Sequence, residues 1–229
     1  MDSTAHDETE NPIRYRFRHQ ATDAEPGIFQ FRKGNGLFDY DRYRAGQVAV
    51  QSTRKEPKVR EQTVRCLAEY INRSLGQPTF GLCHGSGGGF EQKWFRTALE
   101  CDVIGTDIAE WADLIPDTIN WDFHEAKTEW RDSADFIYSN SLQHSYDPER
   151  CLNAWMSCLK LHGLCLLEYT AANERISEIS PFSAPASLMP YLVLMWGKGR
   201  YSVREIIDLP NAEAAGSNYD CCLVLQRND

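Results

Sequence analysis

Apolar residues follow two alternating spacings from about residue 57 to the C-terminus. Short apolar runs predict strands, and these runs are TFGLC, DVIGTD, TINWD, ADFIYSN and LCLLEY. Helical spacing lies between them, as in the apolar stripe of Phe90, Trp94, Ala98 and Leu99. Strands that alternate with helices are typical of an open α/β sheet with right-handed crossover connections.

Proline, glycine and aspartate mark the predicted helix boundaries. Pro57 suits the start of a helix and Gly76 its end, and Asp147 directly before Pro148 predicts the N-cap of a later helix. Near the C-terminus, YDCCLVLQR reads as a strand, whereas YSVREIIDL fits a strand or a short helix. Because no crossover helix separates them, two strands here would have to pair antiparallel.

The first 56 residues lack this alternation. Residues 1–11 are polar and acidic, which predicts a disordered tail. Residues 12–56 are rich in aromatic side chains, and between Pro12 and Arg60 eleven Lys or Arg residues outnumber five Asp or Glu. We therefore interpret residues 12–56 as a cover or lid segment packed on a main domain, 57–229. A solvated cover and a basic lid over an anionic substrate both fit this composition.

Composition is that of a globular protein, with 229 residues, 42% hydrophobic and 25% charged. The apolar runs are shorter than the roughly 20 residues of a membrane span, so we expect no membrane association. The eight cysteines lie mostly inside apolar runs without a CxxC pair, which favours reduced core residues in the cytoplasm and no metal site. The net charge of −9 argues against a nucleic-acid partner.

The loop GLCHGSGGGFEQ, residues 81–92, has the strongest chemical signal. Glycine-rich loops of this kind serve as nucleotide cradles, as oxyanion holes of lipases and as methyl-donor pockets. No G-x-S-x-G follows for a lipase-like hydrolase, and no Gly-Lys-Ser/Thr forms a P-loop. The third glycine of a dinucleotide-binding motif would fall on Phe90. The loop instead reads G-x-G-x-G, at Gly85, Gly87 and Gly89.

From about Pro57 to the C-terminus the chain resembles the class I S-adenosylmethionine-dependent methyltransferases. GLCHGSGGG is similar to their first motif, and VIGTD, NWDF and ADFIYSNSLQHSYDP follow in the family's order. The last two predicted strands resemble the family's antiparallel edge hairpin. The resemblance implies a Rossmann-like sheet of seven mostly parallel strands with an antiparallel last strand and helices on both faces. The implied cofactor is S-adenosyl-L-methionine.

The same resemblance implies two carboxylates that bind the methyl donor. Asp107 would accept the ribose hydroxyls and Asp122 the adenine amino group, with Phe123 beside the ring. The implied cofactor-binding residues are Cys83, His84, Gly85, Ser86, Gly87, Asp107, Ile108, Asp122, Phe123, Asn140 and Ser141. Cys83 departs from the family, which usually has Asp or Glu there. We therefore expect Ser86 or the backbone alone to hold the donor's methionine end.

His144, in SLQHSYD, is the candidate general base, because its loop would emerge beside the methyl group and histidine titrates near neutrality. Asp147 would orient His144, although it fits a helix N-cap equally well. His124 is a second candidate on the adenine side of the pocket. With these residues we expect methyl transfer to a small-molecule acceptor, as an O-methylation of a sugar or natural-product hydroxyl.

Residues 171–200 follow the fifth strand and would form an insert or a substrate-side element. Their apolar segment SLMPYLVLMW fits either the core or a homodimer contact. The alternative function is a non-catalytic methyltransferase-like module that uses the N-terminal segment to dock a partner. Side chains of the chain itself filling the space above Asn140 and His144 would favour that alternative. A dinucleotide-dependent oxidoreductase is a third hypothesis.

Overall fold

The computed structural model describes residues 26–51, 57–170, 176–209 and 220–229. The predicted tail, 1–11, and part of the predicted cover segment lie outside the described residues. Among the described residues, no helix is long and apolar enough to cross a membrane, and no three His, Cys, Asp or Glu side chains are grouped to hold a metal ion. All eight cysteines are unbridged and six are buried.

Nine strands and five α-helices make up the described fold. The strands are β1 (Gly27–Ile28), β2 (Phe80–His84), β3 (Asp102–Asp107), β4 (Thr118–Asn120), β5 (Ala134–Ser139), β6 (Leu159–Thr170), β7 (Phe182–Ser183), β8 (Tyr201–Asp208) and β9 (Asp220–Arg227). The helices are α1 (Tyr40–Gln51), α2 (Glu61–Leu75), α3 (Phe90–Leu99), α4 (Pro148–Cys158) and α5 (Met189–Gly197). Short 3-10 helices lie at Glu110–Leu114, Thr128–Trp130 and Leu142–His144.

Seven strands form the central sheet in the order β4-β3-β2-β5-β6-β9-β8. The neighbouring pairs among β2 to β6 are parallel, whereas β9 is antiparallel to both β6 and β8. The ambiguous segment YSVREIIDL is a strand, which pairs with β9. The predicted seven-stranded, mostly parallel sheet with an antiparallel last strand is confirmed.

Helices cover both faces of this sheet, as predicted. Alternate residues of a strand point to opposite faces, so each strand contributes to two cores. Leu82 and Ile137 pack in the core that contains α4 and α5. Cys83 and Tyr138 pack in the core that contains α2 and α3. Buried strands of this kind are continuously apolar, which is why the strand runs could be recognised in the sequence.

Two helices differ from the sequence-based expectation. Helix α2 begins at Glu61, with Arg60 as its N-cap, and not at Pro57. Helix α1 was not predicted at all, because its apolar residues do not form a continuous stripe at helical spacing. Its aromatic side chains instead join loop residues in a separate cluster, the roof cluster. The roof cluster consists of Phe29, Phe31, Phe38, Tyr40, Tyr43, Ile108 and Tyr146.

Candidate active site

A recess opens at the C-terminal edge of the parallel strands. The loops after β2, β3, β4 and β5 form its floor, and α1 forms its roof. The lining residues are Tyr43, Gln47, Gly85, Asp107, Ile108, Asp122, Phe123, Ser141 and His144. Strand order reverses between β2 and β5, and open α/β sheets bind ligands at such a switch point. Apart from Tyr43 and Gln47, every lining residue belongs to the site predicted from the sequence.

The glycine loop forms the part of the floor nearest to β2. Gly85, Gly87 and Gly89 have φ values of +69°, +50° and +80°, a region that other residues rarely adopt. A Cβ atom on Gly85 would also lie 2.6 Å from the Cβ atom of Ser141. Glycine is therefore required at position 85 both for its backbone conformation and for the close approach of the next loop.

Asp107 ends β3 and is held by backbone amides. Its Oδ2 accepts a hydrogen bond from Gly87 N at 3.1 Å, and its Oδ1 accepts one from Ala109 N at 3.0 Å. A carboxylate has about four lone-pair sites, so it can accept more than two hydrogen bonds. Asp107 is therefore oriented by the protein and lines the recess. Ile108, next along the chain, lines the recess beside it.

Asp122 follows β4 and accepts hydrogen bonds from both the floor and the roof. Its Oδ1 lies 2.7 Å from His124 Nδ1, and its Oδ2 accepts from the Tyr40 hydroxyl at 2.8 Å. Burial raises the pKa of Asp122, but the hydrogen bonds from His124 and Tyr40 outweigh burial, so this pKa lies below its usual value. The carboxylate is therefore ionised at neutral pH and suited to accept an amino group.

His124 connects Asp122 to Ser145 in a geometry that resembles a Ser-His-Asp triad. His124 Nε2 lies 2.8 Å from Ser145 Oγ, and the His124 ring stacks on Tyr146 at 3.9 Å. Ser145 is fully buried and its Oγ also accepts a hydrogen bond from Asp147 N. A buried serine cannot attack a substrate, so the arrangement positions Asp122 and does not provide a hydrolase nucleophile.

The rest of the floor comes from the segments after β4 and β5. Phe123 packs edge-on against Trp155 at 5.5 Å and lines the recess. Ser141 also lines it, with Oγ 3.2 Å from the carbonyl oxygen of Gly85. Asn140 is half-buried beside Ser141, 3.0 Å from its Oγ.

His144 also lines the recess. Its Nδ1 lies 2.7 Å from the carbonyl oxygen of Ile179, in the segment after β6. A carbonyl can only accept, so Nδ1 carries a proton in this bond, and in the neutral ring the lone pair is then on Nε2. The carboxylate of Asp147 accepts from Arg150 N at 3.1 Å and caps α4, and an orienting role toward His144 stays a prediction.

The side chains of Cys83, His84 and Ser86 lie below the floor and do not line the recess. Cys83 is buried in the core with α2 and α3. His84 Nδ1 lies 2.9 Å from Thr106 Oγ1, and burial lowers the pKa of this histidine to about 3, so it is neutral. The hydroxyl of Ser86 is buried against Gly105. Only the backbone of these residues is placed to contact a ligand in the recess.

The roof contains the site residues that sequence reasoning missed. The Tyr43 hydroxyl donates to the carbonyl oxygen of His144 at 2.9 Å, and Gln47 Nε2 donates to that of Ile179 at 3.0 Å. Tyr40 donates to Asp122, as described above. The only sequence signal for these contacts was the density of aromatic residues in the predicted cover segment, which identifies no single contact.

No protein-family model and no curated protein matches the sequence. Solved structures do match. One is the Burkholderia thailandensis 1,6-didemethyltoxoflavin-N1-methyltransferase with bound 1,6-didemethyltoxoflavin and S-adenosylhomocysteine. It has a TM-score of 0.61 and 15% identity, and the match covers 90% of this chain and 97% of that one. Another is the plantazolicin methyltransferase BpumL in complex with S-adenosylhomocysteine, with a TM-score of 0.60, 14% identity, and 82% and 96% coverage.

A third similar structure is that of the [4+2]-cyclase SpnF, with a TM-score of 0.56, 11% identity, and 89% and 99% coverage. At these identities the likeness establishes the fold. The chain therefore has the Rossmann-like fold of class I methyltransferases. Because a cyclase shares that fold, the reaction has to be argued from the site.

Proposed function

We propose that the protein is an S-adenosylmethionine-dependent methyltransferase that methylates a small-molecule acceptor, by O-methyl transfer to a sugar or natural-product hydroxyl. The observation that carries the proposal is the floor of the recess. Asp107, at the end of β3, lies between the glycine loop after β2 and Asp122 after β4, and both carboxylates are oriented by hydrogen bonds within the protein. These groups match the hydroxyl and amino groups of an adenine nucleoside.

The residues of the recess fit this cofactor by their chemistry. Asp107 would accept the ribose hydroxyls and Asp122 the adenine amino group, while Phe123 and Ile108 would contact the ring. The backbone of Gly85 and Gly87 would approach the amino-acid end of the donor, as their missing side chains permit. When bound, S-adenosylmethionine supplies a methyl group activated by its sulfonium.

The chain's own contribution would be to align the acceptor, exclude water and hold a proton. Helix α1 covers the recess, with Tyr43 and Gln47 over the floor. His144 would take the acceptor's hydroxyl proton on Nε2, while the bond from Nδ1–H to Ile179 keeps that tautomer. We propose residues 12–56 as the lid and residues 171–200 as the element that completes the acceptor side, since Ile179 contacts both His144 and Gln47.

One observation favours the alternative of a non-catalytic module. The roof already bonds to Asp122 and to the His144 backbone, so part of the space above the floor is filled by the chain itself. If the roof does not open, the recess would admit no acceptor. Turnover with a panel of small hydroxylated acceptors separates the two, since a non-catalytic module would bind S-adenosylhomocysteine and methylate none of them.

The test of the proposed function is calorimetric titration with S-adenosylhomocysteine, with NAD as a parallel control. We expect S-adenosylhomocysteine to bind with a dissociation constant in the micromolar range, which is a binding free energy on the order of −8 kcal/mol. We expect no binding of NAD. Asp107→Ala should abolish binding, whereas Asp41→Ala, whose side chain is 89% exposed, should not. Failure of wild-type protein to bind S-adenosylhomocysteine would contradict the proposal.

Three further properties are part of this proposal. We place the protein in the cytoplasm, because eight unbridged cysteines are suited to a reducing compartment. We expect no nucleic-acid partner, given the net charge of −9. The α5 side chains Tyr191, Leu194 and Met195 are more than half exposed, and a homodimer contact there is a proposal that sedimentation can test.

A further inference from the structure

One backbone oxygen, that of Ile179, accepts hydrogen bonds both from the roof and from the candidate base. Gln47 Nε2, on α1, donates to it at 3.0 Å, and His144 Nδ1 lies 2.7 Å from it. A backbone carbonyl oxygen has two lone pairs, so it can serve both donors at once. Gln47 and His144 also both line the recess. The side chain of the roof and the ring of the base are therefore held at one shared atom.

Helix α1 reaches His144 by a second route. Tyr43 lies four residues before Gln47, and residues four apart are neighbours on one face of an α-helix. The Tyr43 hydroxyl donates to the backbone carbonyl oxygen of His144 at 2.9 Å. Both side chains are buried, which protects their hydrogen bonds from competition with water. One face of α1 thus contacts His144 at its backbone and, through Ile179, at its ring.

The Ile179 carbonyl is presented by a short turn after β6. Ser177 N donates to Ser180 O at 2.9 Å, and Ser180 N donates to Ser177 Oγ at 2.9 Å. The next residue, Pro181, accepts from Phe29 N at 2.7 Å, in the segment that precedes α1. The side chain of Ile179 is exposed, so these hydrogen bonds, more than side-chain packing, fix the position of its carbonyl.

We propose that Gln47 is a positioning residue for His144 and acts through the carbonyl oxygen of Ile179. This inference rests on the proposed function, in which His144 is the general base. The tautomer of a histidine is set by the hydrogen bond that its other ring nitrogen makes. While Gln47 holds the carbonyl in place, the proton stays on Nδ1, and Nε2 keeps the lone pair that takes the acceptor's proton. Opening of the roof withdraws Gln47, so the base is set when the recess is covered.

NMR of the histidine ring nitrogens tests this inference without any acceptor. The chemical shift distinguishes a protonated ring nitrogen from one with a lone pair, and His144→Ala identifies the signals of His144. At about pH 8, above the ordinary histidine pKa of about 6.5, we expect His144 of the wild type to be in the Nδ1–H form. Gln47→Met is similar in length but has no N–H donor, and it should raise the Nε2–H population of His144 severalfold.

Gln62→Met, at an exposed position of α2, is the matched control and should leave the His144 signals unchanged. If Gln47→Met also leaves them unchanged, Gln47 only attaches the helix and the inference is overturned. A wild-type His144 in the Nε2–H form would overturn it as well, because the shared carbonyl would then not accept from the ring.

His124 reports whether a variant disturbs the whole roof and not His144 alone. Its ring is fixed by Asp122 and Ser145, and neither bond involves the Ile179 carbonyl. If Gln47→Met moves the signals of both histidines, Gln47→Asn is measured in the same way, since its amide is one methylene too short for the bond. Movement of both histidines in both variants would mean that Gln47 supports the roof as a whole, and would overturn the inference.

Turnover supplies a second readout with an acceptor taken from the panel described above. Gln47→Met should lower kcat roughly tenfold and leave the affinity for S-adenosylhomocysteine within about twofold. In the His144→Ala background the same substitution should lower kcat no further, because Gln47 acts only through His144. A full loss in that background would show that Gln47 acts by another route.

The outcomes separate this inference from the proposed function. If wild-type protein neither binds S-adenosylhomocysteine nor methylates an acceptor, the proposed function fails, whereas the NMR comparison still decides whether Gln47 orders the His144 ring. If the protein methylates an acceptor and Gln47→Met changes neither the tautomer nor kcat, the function stands and only the positioning role is overturned.

Discussion

The floor and the roof of the recess are built in different ways. The floor consists of short loops at the ends of neighbouring parallel strands, and its carboxylates are bound by amides close along the chain, as Asp107 is by Ala109. The roof is a single helix whose contacts cross 64 to 132 residues of sequence, as from Gln47 to Ile179. The floor is therefore fixed by the sheet, whereas the roof is attached by side-chain hydrogen bonds and by the packing of the roof cluster.

This difference suggests a division of roles. A floor set by backbone geometry keeps its shape without a ligand, which lowers the cost of ordering on binding. A roof held by side-chain hydrogen bonds and by packing of the roof cluster can be released without breaking the sheet. We therefore expect substitutions in the floor to abolish binding and substitutions in the roof to change binding rates.

The largest effect is expected for Gly85→Ala. The new Cβ would lie 2.6 Å from Ser141 Cβ, at a residue with φ of +69°, so the loop would have to move. Calorimetry should show a loss of S-adenosylhomocysteine affinity of roughly a hundredfold or more, about 2.7 kcal/mol. Gly36→Ala is the matched control, because Gly36 has φ of +81° but nothing within 4 Å of the added carbon. Equal effects of the two variants would show that the close packing of the floor is unimportant.

His144→Ala tests the edge where floor and roof meet. Removal of a general base should lower kcat by roughly a hundredfold, while binding of S-adenosylhomocysteine changes little. His162→Asn is the control, since His162 is exposed and asparagine tolerates its φ of +65°. Unchanged kcat in His144→Ala would remove this histidine from the mechanism.

The buried Glu91, in the first turn of α3, should make the free energy of unfolding depend on pH. Its pKa is about 8 in the folded protein and about 4.3 in an unfolded chain. Between these values the folded protein retains a proton that the unfolded chain has released, so stability falls as pH rises through this window. Glu91→Gln cannot ionise and should gain roughly 1–3 kcal/mol over the wild type between pH 5 and pH 8.

Urea unfolding of the ligand-free protein at the two pH values measures this difference. Glu69→Gln, at an exposed position of α2, is the control and should show no such gain. A gain of the same size in both variants would mean that Glu91 has an ordinary pKa.

The smallest effect is expected for Tyr40→Phe in the roof. The variant loses the hydroxyl bond to Asp122 but keeps the ring in the roof cluster. We expect S-adenosylhomocysteine to dissociate roughly fivefold faster, as for loss of about one hydrogen bond. Stopped-flow kinetics measures this rate, with Tyr191→Phe on the exposed face of α5 as control. Tighter binding in Tyr40→Phe would show that the tyrosine competes with the ligand for Asp122.

The sequence alone determined the strand order along the chain, the antiparallel last strand and most of the floor. These features depend on local signals, such as continuous apolar runs for buried strands and glycines where the loop needs positive φ. Asp107 and Asp122 were placed by the resemblance to class I methyltransferases, and in the structure both lie where neighbouring parallel strands end at one edge of the sheet. The Asp147 N-cap was predictable for the same local reason.

The tertiary structure decided which side chains reach the recess. Cys83, His84 and Ser86 lie in the loop motif, but the direction of each side chain depends on the packing on the two faces of the sheet. Tyr43 bonds to His144 and Gln47 to Ile179, and each pair is more than a hundred residues apart in the sequence. No local pattern encodes such pairings. Burial of Glu91 is likewise a property of the assembled sheet and helix, because a glutamate at a helix start gives no sign in the sequence of whether water surrounds it.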